Sequence, residues 1–132
     1  MKEVWVATTA RTALTDVTEL VRAAISEADG TLVTVFVPHT TAGVILQAAG
    51  PGATAVAQDV ATGLERLVDE GAPWGHADEG DRNPWAHVRA ALTASSVGIP
   101  IVDGDLALGA HQAIFLVELD GPRERTLLVT VT

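Results

Sequence analysis

The chain has 132 residues, of which 48% are hydrophobic, so one folded domain spanning residues 1–132 is expected rather than a disordered chain. It has no cysteine, which excludes disulfides and thiolate ligands, and its net charge of −9 argues against nucleic acid, whose phosphates attract lysine and arginine. No apolar run approaches the roughly 20 residues of a membrane span and no signal peptide precedes the first strand, so we expect a cytoplasmic protein without a membrane partner.

The first third of the chain predicts a strand followed by an amphipathic helix. Residues 4–9 alternate between polar and apolar and are rich in β-prone side chains. Asp16, with Glu19 three residues later, resembles a capping box and predicts the start of a helix that ends near Gly30. The apolar residues of this helix fall at helical spacing on one face: Val17, Leu20, Val21, Ala24, Ile25 and Ala28.

The middle of the chain predicts two strands and a second helix. Residues 31–37 form a β-prone run that ends at Pro38-His39, and residues 44–46 are expected to form a return strand. Residues 53–70 have helical periodicity and Gly71 is a fitting end. The side chains expected to point inward from this helix are Val56, Val60, Leu64, Leu67 and Val68.

Residues 73–82 lack any periodicity and are expected to be irregular. Asn83-Pro84 then predicts a third helix, because asparagine is a favoured cap and proline suits the first helical position. Val88, Ala91 and Leu92 would share its apolar face. The last third predicts strands at residues 97–102, 105–108, 113–119 and 125–132, with Asp103-Gly104 as a hairpin turn. Together these elements predict an α+β fold with mostly antiparallel sheets and about three helices.

The histidines are the strongest candidates for chemistry. His39 follows a buried strand, His76 lies in the irregular segment, and His87 lies on the third helix. Each of them alone is compatible with an ordinary structural or exposed histidine. Together, three imidazoles are what a divalent metal site with an open water position needs, and imidazole also serves as a general acid or base. Their spacing matches no standard zinc motif, so both alternatives stay open.

Other polar residues lie close to these histidines in the sequence. Glu79 and Asp81 could orient imidazoles, bind a cation or relay protons, and the alternative is a solvated acidic loop. Arg123 and Arg125 could clamp a phosphate from one strand face, or form surface ion pairs. Gln112 precedes a buried strand, where a polar residue at the entrance favours a functional role.

Several motifs occur in the order found in one family, and their combination is more specific than any one of them. They are Pro38-His39-Thr40-Thr41-Ala42-Gly43, residues 76–83, Ala86-His87, Ile99-Pro100-Ile101, Leu106-Ala107-Leu108-Gly109 and residues 112–125. In these motifs the chain resembles the YjbQ-like family, often called secondary thiamine-phosphate synthase enzymes. The resemblance implies an α+β homotrimer with histidine-rich pockets near the subunit interfaces. It also implies a weak activity that joins a pyrimidine pyrophosphate to a thiazole phosphate.

The first hypothesis, an enzyme that acts on a small phosphorylated ligand, gives each candidate residue a role. His39, Glu79, Asp81, Asn83, His87 and Gln112 would serve catalysis, while Thr40, Thr41 and Arg123 would bind the phosphorylated metabolite. A divalent metal, zinc or magnesium, would be held by His39, His76 and His87. The chain departs from the family where an acidic residue is usual, at Gln47-Ala48-Ala49-Gly50, and has His111 where tryptophan is expected. The alternative function is a trimeric protein that binds a metal or metabolite without turnover.

Overall fold

The computed structural model describes residues 1–76 and 83–132. In those residues the chain forms eight strands and three helices. The strands are β1 (Lys2–Ala7), β2 (Ala13–Asp16), β3 (Leu32–Phe36), β4 (Ala42–Ala48), β5 (Ser96–Val102), β6 (Asp105–Leu106), β7 (Gln112–Glu118) and β8 (Glu124–Val131). The helices are α1 (Thr18–Ile25), α2 (Ala53–Leu67) and α3 (Pro84–Ala91). None of the described helices is long and apolar enough to cross a membrane.

The strands form two antiparallel sheets. The larger has the order β1-β8-β3-β5-β6, and the smaller has the order β2-β7-β4. The larger sheet ends in the hairpin at Asp103-Gly104, where both residues have positive φ angles of 52° and 79°, as a tight β-hairpin requires. This arrangement confirms the predicted α+β class with antiparallel sheets and three helices.

The main core contains side chains from both sheets and from α1. In β3, Val33 and Val35 are fully buried, while the alternate positions Leu32 and Phe36 are exposed. Their buried neighbours in the core include Val17, Val21 and Ile25 of the α1 segment and Ile114 and Leu116 of β7. Each such side chain contributes about 1.5–3 kcal/mol when it leaves water. The alternation along β3 thus decides which face of the larger sheet meets the smaller one.

Two predictions about the first half of the chain were wrong. β4 is not a return strand of β3, because β3 pairs with β5 and β8 while β4 pairs with β7 in the other sheet. The turn that contains His39 therefore carries the chain from one sheet to the other. The strand β2 was not predicted, and α1 is shorter than expected, since it ends at Ile25. Asp16 still accepts a hydrogen bond from the Thr18 N–H, at 2.9 Å, as a residue beside a helix start does.

The inward face of α3, and Leu67 of the predicted inward face of α2, differ from the prediction. Leu67 is 77% exposed and Leu92 is 57% exposed, and Val88 also faces solvent. The buried face of α3 instead carries Ala86 and Arg89. The Arg89 guanidinium donates to the carbonyl oxygens of the last turn of α2, so a polar contact between two helices sets the rotation of α3.

Gly43 permits the close approach that brings α3 to the His39 turn. β4 lies against the segment after α3, where the Val44 N–H donates to the Ala94 carbonyl at 2.8 Å. A methyl group on Gly43 would overlap the Thr93 hydroxyl and lie 2.9 Å from the Ala94 carbonyl oxygen. The Thr93 hydroxyl cannot move freely, because it donates to the Ala90 carbonyl at 2.8 Å.

We therefore expect Gly43→Ala to lower the free energy of unfolding by about 1–3 kcal/mol, the usual cost of overpacking a tight contact. The measurement is equilibrium unfolding in urea. Gly63→Ala is the matched control, since a methyl group on this helical glycine meets nothing within 4 Å. It should raise the free energy of unfolding by about 0.4–1 kcal/mol. Equal effects of the two substitutions would contradict the close approach at Gly43.

Candidate functional site

His87 lines two cavities beside α3. The first, here called the Trp74 cavity, has a volume of about 380 Å³. Its described lining is Trp74, Gly75, His76, Pro84, His87 and Val88. The rings of His76 and His87 are 5.3 Å apart, centre to centre, and nearly perpendicular at 80°. The fold thus brings together two histidines that come from different elements.

The second, the Thr40 cavity, has a volume of about 320 Å³ and is also lined by His87. Its described lining is His39, Thr40, Ala42, His87, Ala90, Ala91, Ala94 and Ser95. His39 reaches this cavity because the chain crosses between the sheets at its turn. The three histidines singled out in the sequence are therefore grouped around His87, which shares one cavity with His76 and the other with His39.

His39 is anchored by its Nε2 atom, which accepts a hydrogen bond from the backbone N–H of Thr126 at 2.9 Å. The pairing of β3 with β8 ends at Phe36 opposite Leu128, so the imidazole takes the place of a strand partner for this N–H. Burial of the ring lowers the pKa of His39 below its ordinary value, and the positive charge of Arg125 lowers it further. The ring is therefore neutral at physiological pH.

A buried ion pair between Glu118 and Arg125 lies behind His39, and sequence reasoning missed it. Glu118 is fully buried at the end of β7, and Arg125 is 4% exposed near the start of β8. The Arg125 guanidinium donates to both carboxylate oxygens, at 2.8 Å from Nε and 2.5 Å from Nη2. Thr8 donates to the same carboxylate at 2.7 Å. The sequence signals were a glutamate at the end of a mostly apolar strand and Arg125, which was expected to bind a phosphate or form a surface ion pair.

The Glu118 carboxylate stays ionised inside the protein. Its burial alone would raise the pKa, but the hydrogen bonds from Arg125, Thr8 and the backbone outweigh burial, so the pKa is lowered. The pair also reaches the histidine turn, because Arg125 Nη2 donates to the hydroxyl and the carbonyl of Thr41, at 3.0 and 3.2 Å. Thr41 therefore accepts hydrogen bonds from Arg125, whereas Thr40 is exposed and lines the Thr40 cavity.

Asn83 and Arg123 meet at one carboxylate. Asp120, in the turn after β7, accepts from Asn83 Nδ2 at 2.7 Å and from Arg123 Nη2 at 2.8 Å. Asn83 occupies the cap position of α3 without a capping hydrogen bond from its side chain, and its buried Oδ1 has no partner among the described residues. Arg123 precedes β8 and is partly exposed, so it does not share a strand face with the buried Arg125. Asp120 thus ties the start of α3 to the turn between the sheets.

Gln112 lies apart from the histidines in a single chain. It begins β7, whereas Glu118 ends that strand, and seven residues of β-strand separate its ends by about 20 Å. Its side chain accepts from the Gly109 N–H at 2.9 Å and lines a different cavity beside Asp16 and Arg22. Glu79 and Asp81, the predicted acidic partners, lie outside the described residues.

The histidines differ in how well they suit a metal ion. Two imidazoles on one tetrahedral zinc have ring centres about 5 Å apart, given Zn–N distances of about 2.0–2.1 Å. The 5.3 Å separation of His76 and His87 is close to this distance, and their rings meet edge to face. The Nε2 lone pair of His39 is taken by the Thr126 N–H. Within residues 1–76 and 83–132, no three histidine or acidic side chains are arranged to hold a metal.

Comparison with known proteins gives a consistent result. The family model for UPF0047 protein YjbQ-like matches residues 2–132. A UPF0047 protein of Archaeoglobus fulgidus is 36% identical over 127 residues, which cover 96% of this chain and 97% of that protein. UPF0047 protein YugU of Bacillus subtilis is 34% identical over 136 residues, covering 98% and 96% of the two chains.

Solved structures agree in fold over the whole chain. The crystal structure of a protein from Aeropyrum pernix K1 has a TM-score of 0.89 at 37% identity, covering 99% of this chain and 96% of that one. A YjbQ/UPF0047 family protein from Clostridium acetobutylicum also has a TM-score of 0.89, at 32% identity and full coverage of both chains. None of these names states an activity or a ligand. On sequence and fold together, the chain belongs to the YjbQ/UPF0047 family.

Proposed function

We propose that this protein is an enzyme that binds a small phosphorylated metabolite at the histidine site and catalyses a thiamine-phosphate synthase type of reaction. The observation that carries the proposal is that His87 lines two cavities, one of which also contains His76 and the other His39. Two adjoining cavities suit a reaction that joins two substrates. The synthase reaction itself is what the family resemblance implies.

In that reaction a bond forms between the thiazole and the pyrimidine substrate, and the bond from the pyrimidine to pyrophosphate breaks. The departing pyrophosphate keeps the bonding electrons, so catalysis depends on donors and positive charge placed where it leaves. The Thr40 cavity supplies hydroxyls from Thr40 and Ser95 and imidazoles from His39 and His87, and its described lining has no carboxylate. We assign the pyrophosphate to this cavity and the second substrate to the Trp74 cavity.

A divalent metal is part of the proposal. His76 and His87 would hold it, and imidazole ligands favour zinc over magnesium, which prefers oxygen. When bound, the metal would neutralise negative charge on a phosphate group. Glu79 and Asp81 follow His76 within five residues in the sequence, and their role in orienting the site stays a prediction.

The homotrimer is also a proposal. The outer face of the larger sheet carries apolar side chains that no described element covers, with Trp5 59% exposed, Phe36 40% and Leu32 39%. Exposed apolar faces of this kind mark contacts between proteins. A neighbouring copy would also explain how Gln112 could take part in catalysis. Within its own chain, Gln112 lies about 20 Å along β7 from the end near the histidine site, so it could reach only the site of a neighbouring copy.

The proposal is tested on the purified protein by a turnover assay with the pyrimidine pyrophosphate and the thiazole phosphate, together with metal analysis. We expect thiamine phosphate to form above the uncatalysed rate and zinc to copurify. Metabolite or metal binding without turnover would favour the alternative, a binding protein of the same assembly. If the protein shows no turnover and binds no metabolite or metal, the proposal is overturned.

A further inference from the structure

The hydrogen bond between His39 and Thr126 fixes which nitrogen of the ring carries the proton. A neutral imidazole has one N–H and one lone pair. The Thr126 N–H points at Nε2 at 2.9 Å, so the lone pair is on Nε2 and the proton is on Nδ1. Nδ1 makes no hydrogen bond to the described residues, and the ring lines the Thr40 cavity. His39 therefore has a donor to offer to a ligand and no free lone pair.

Both ends of this hydrogen bond are held by one guanidinium. Arg125 precedes Thr126 in β8, and its Nη2 donates to the hydroxyl and carbonyl of Thr41, two residues after His39. Glu118 in turn binds the guanidinium through two hydrogen bonds. The charge of Arg125 also disfavours a second proton on the ring, which agrees with the lowered pKa of His39.

We propose that His39 serves the site as a neutral hydrogen-bond donor, through Nδ1–H, to an oxygen of a phosphate or pyrophosphate group, and that Glu118 and Arg125 are the residues that position it. His39 is then neither the general base nor a metal ligand. The ligand class rests on the function proposed above. It is supported by the described lining of the Thr40 cavity, which offers hydroxyl and imidazole groups and no carboxylate in a protein with a net charge of −9.

The protonation of His39 is tested without any ligand, by NMR of the protein labelled with ¹⁵N-histidine. We expect the Nδ1 resonance of His39 to be that of a protonated nitrogen and the Nε2 resonance that of a lone-pair nitrogen. Added Zn²⁺ should leave both unchanged. A proton on Nε2, or a shift of His39 to a metal-bound resonance, would overturn the proposal whatever the turnover assay finds.

Two substitutions separate the nitrogens by their function. His39→Asn places an amide near the position of Nδ1, and His39→Gln places one near Nε2. We expect His39→Asn to keep most of the affinity for inorganic pyrophosphate in calorimetry, and His39→Gln to lose about 10- to 100-fold, the effect of one hydrogen bond to a charged group. The melting temperature of His39→Gln should be higher than that of His39→Asn, because only glutamine can still accept the hydrogen bond from the Thr126 N–H.

Equal loss of affinity in both variants, or retention in His39→Gln, would contradict the donor role, and so would failure of the unaltered protein to bind pyrophosphate. If the protein catalyses the synthase reaction but gives one of these contradicting results, only the donor role of His39 is refuted. Absence of turnover alongside the expected NMR signals and affinity pattern would refute only the proposed reaction.

The positioning role has its own spectroscopic test. In Glu118→Gln the guanidinium loses its charged partner, so we expect the His39 resonances to show a mixture of the two neutral forms. Thr41→Val removes one contact of Arg125 and serves if Glu118→Gln does not fold; it should shift the same resonances by less. A folded variant of either kind with an unchanged His39 spectrum would show that the pair has only a structural role.

Discussion

Replacing Arg125 by methionine is expected to lower the free energy of unfolding by about 3–5 kcal/mol, the usual cost of leaving a buried charge without its partner. Glu118 is fully buried, and without Arg125 it loses two of its hydrogen bonds while its charge stays inside the protein. The loss also removes the contacts to Thr41, so the turn between the sheets loosens. Urea unfolding followed by tryptophan fluorescence measures the change.

Arg123→Met is the matched control, two residues earlier in the chain. Arg123 forms its ion pair with Asp120 while its side chain is 43% exposed. Its replacement should therefore lower the free energy of unfolding by at most about 1 kcal/mol. The double variant Arg125→Met with Glu118→Leu should recover much of the stability, because a buried pair replaced by apolar side chains is often neutral. Similar losses for Arg123→Met and Arg125→Met would show that burial does not distinguish the two pairs.

The strands were predictable where one face is buried and turn chemistry is strict. β3 alternates between buried valines and exposed residues, and the sequence pattern placed it within one residue at each end. The Asp103-Gly104 hairpin follows from two residues that tolerate positive φ angles. Which strands pair was less predictable. The partner of β4 is β7, some 70 residues away in sequence, and no local pattern records that choice.

The buried faces of the helices were harder to predict, because burial depends on which elements lie next to each helix. Leu67 and Leu92 have the spacing of core residues, yet both are exposed near helix ends where the fold places no cover among the described residues. Arg89 is buried because the carbonyl oxygens of Glu65 and Val68 lie opposite its guanidinium. A side chain that is buried because it donates hydrogen bonds to the end of another helix cannot be recognised from the periodicity of its own helix.

The histidine site was partly predictable. Three candidate imidazoles could be named from the sequence, but their grouping around His87 depends on the crossing of the chain between sheets at His39 and on the close approach at Gly43. The role of His39 depends on the Thr126 N–H, which is left without a strand partner by the end of the β3–β8 pairing. A backbone group of this kind has no sequence signature.

His87→Ala is expected to lower kcat/KM for thiamine phosphate formation by about 10²- to 10⁴-fold, the range for removal of a group that moves a proton or stabilises developing charge. His87 is the side chain common to both cavities, so its loss affects both proposed substrate positions and one of the two proposed metal ligands. Metal content should fall in parallel with turnover. The fold should persist, because the imidazole is only half-buried and makes no hydrogen bond to the described residues.

His111→Ala tests whether a neighbouring copy contributes to the site, since His111 is exposed and directly precedes β7, at the end of the strand remote from Glu118 and the histidine site of its own chain. It should leave kcat/KM and metal content unchanged if the site is built around His87 within one chain. A loss in His111→Ala but not in His87→Ala would place the chemistry at the Gln112 end of β7. Because a neighbouring copy is proposed to bring that end close, a loss in both variants would instead favour a site shared between subunits.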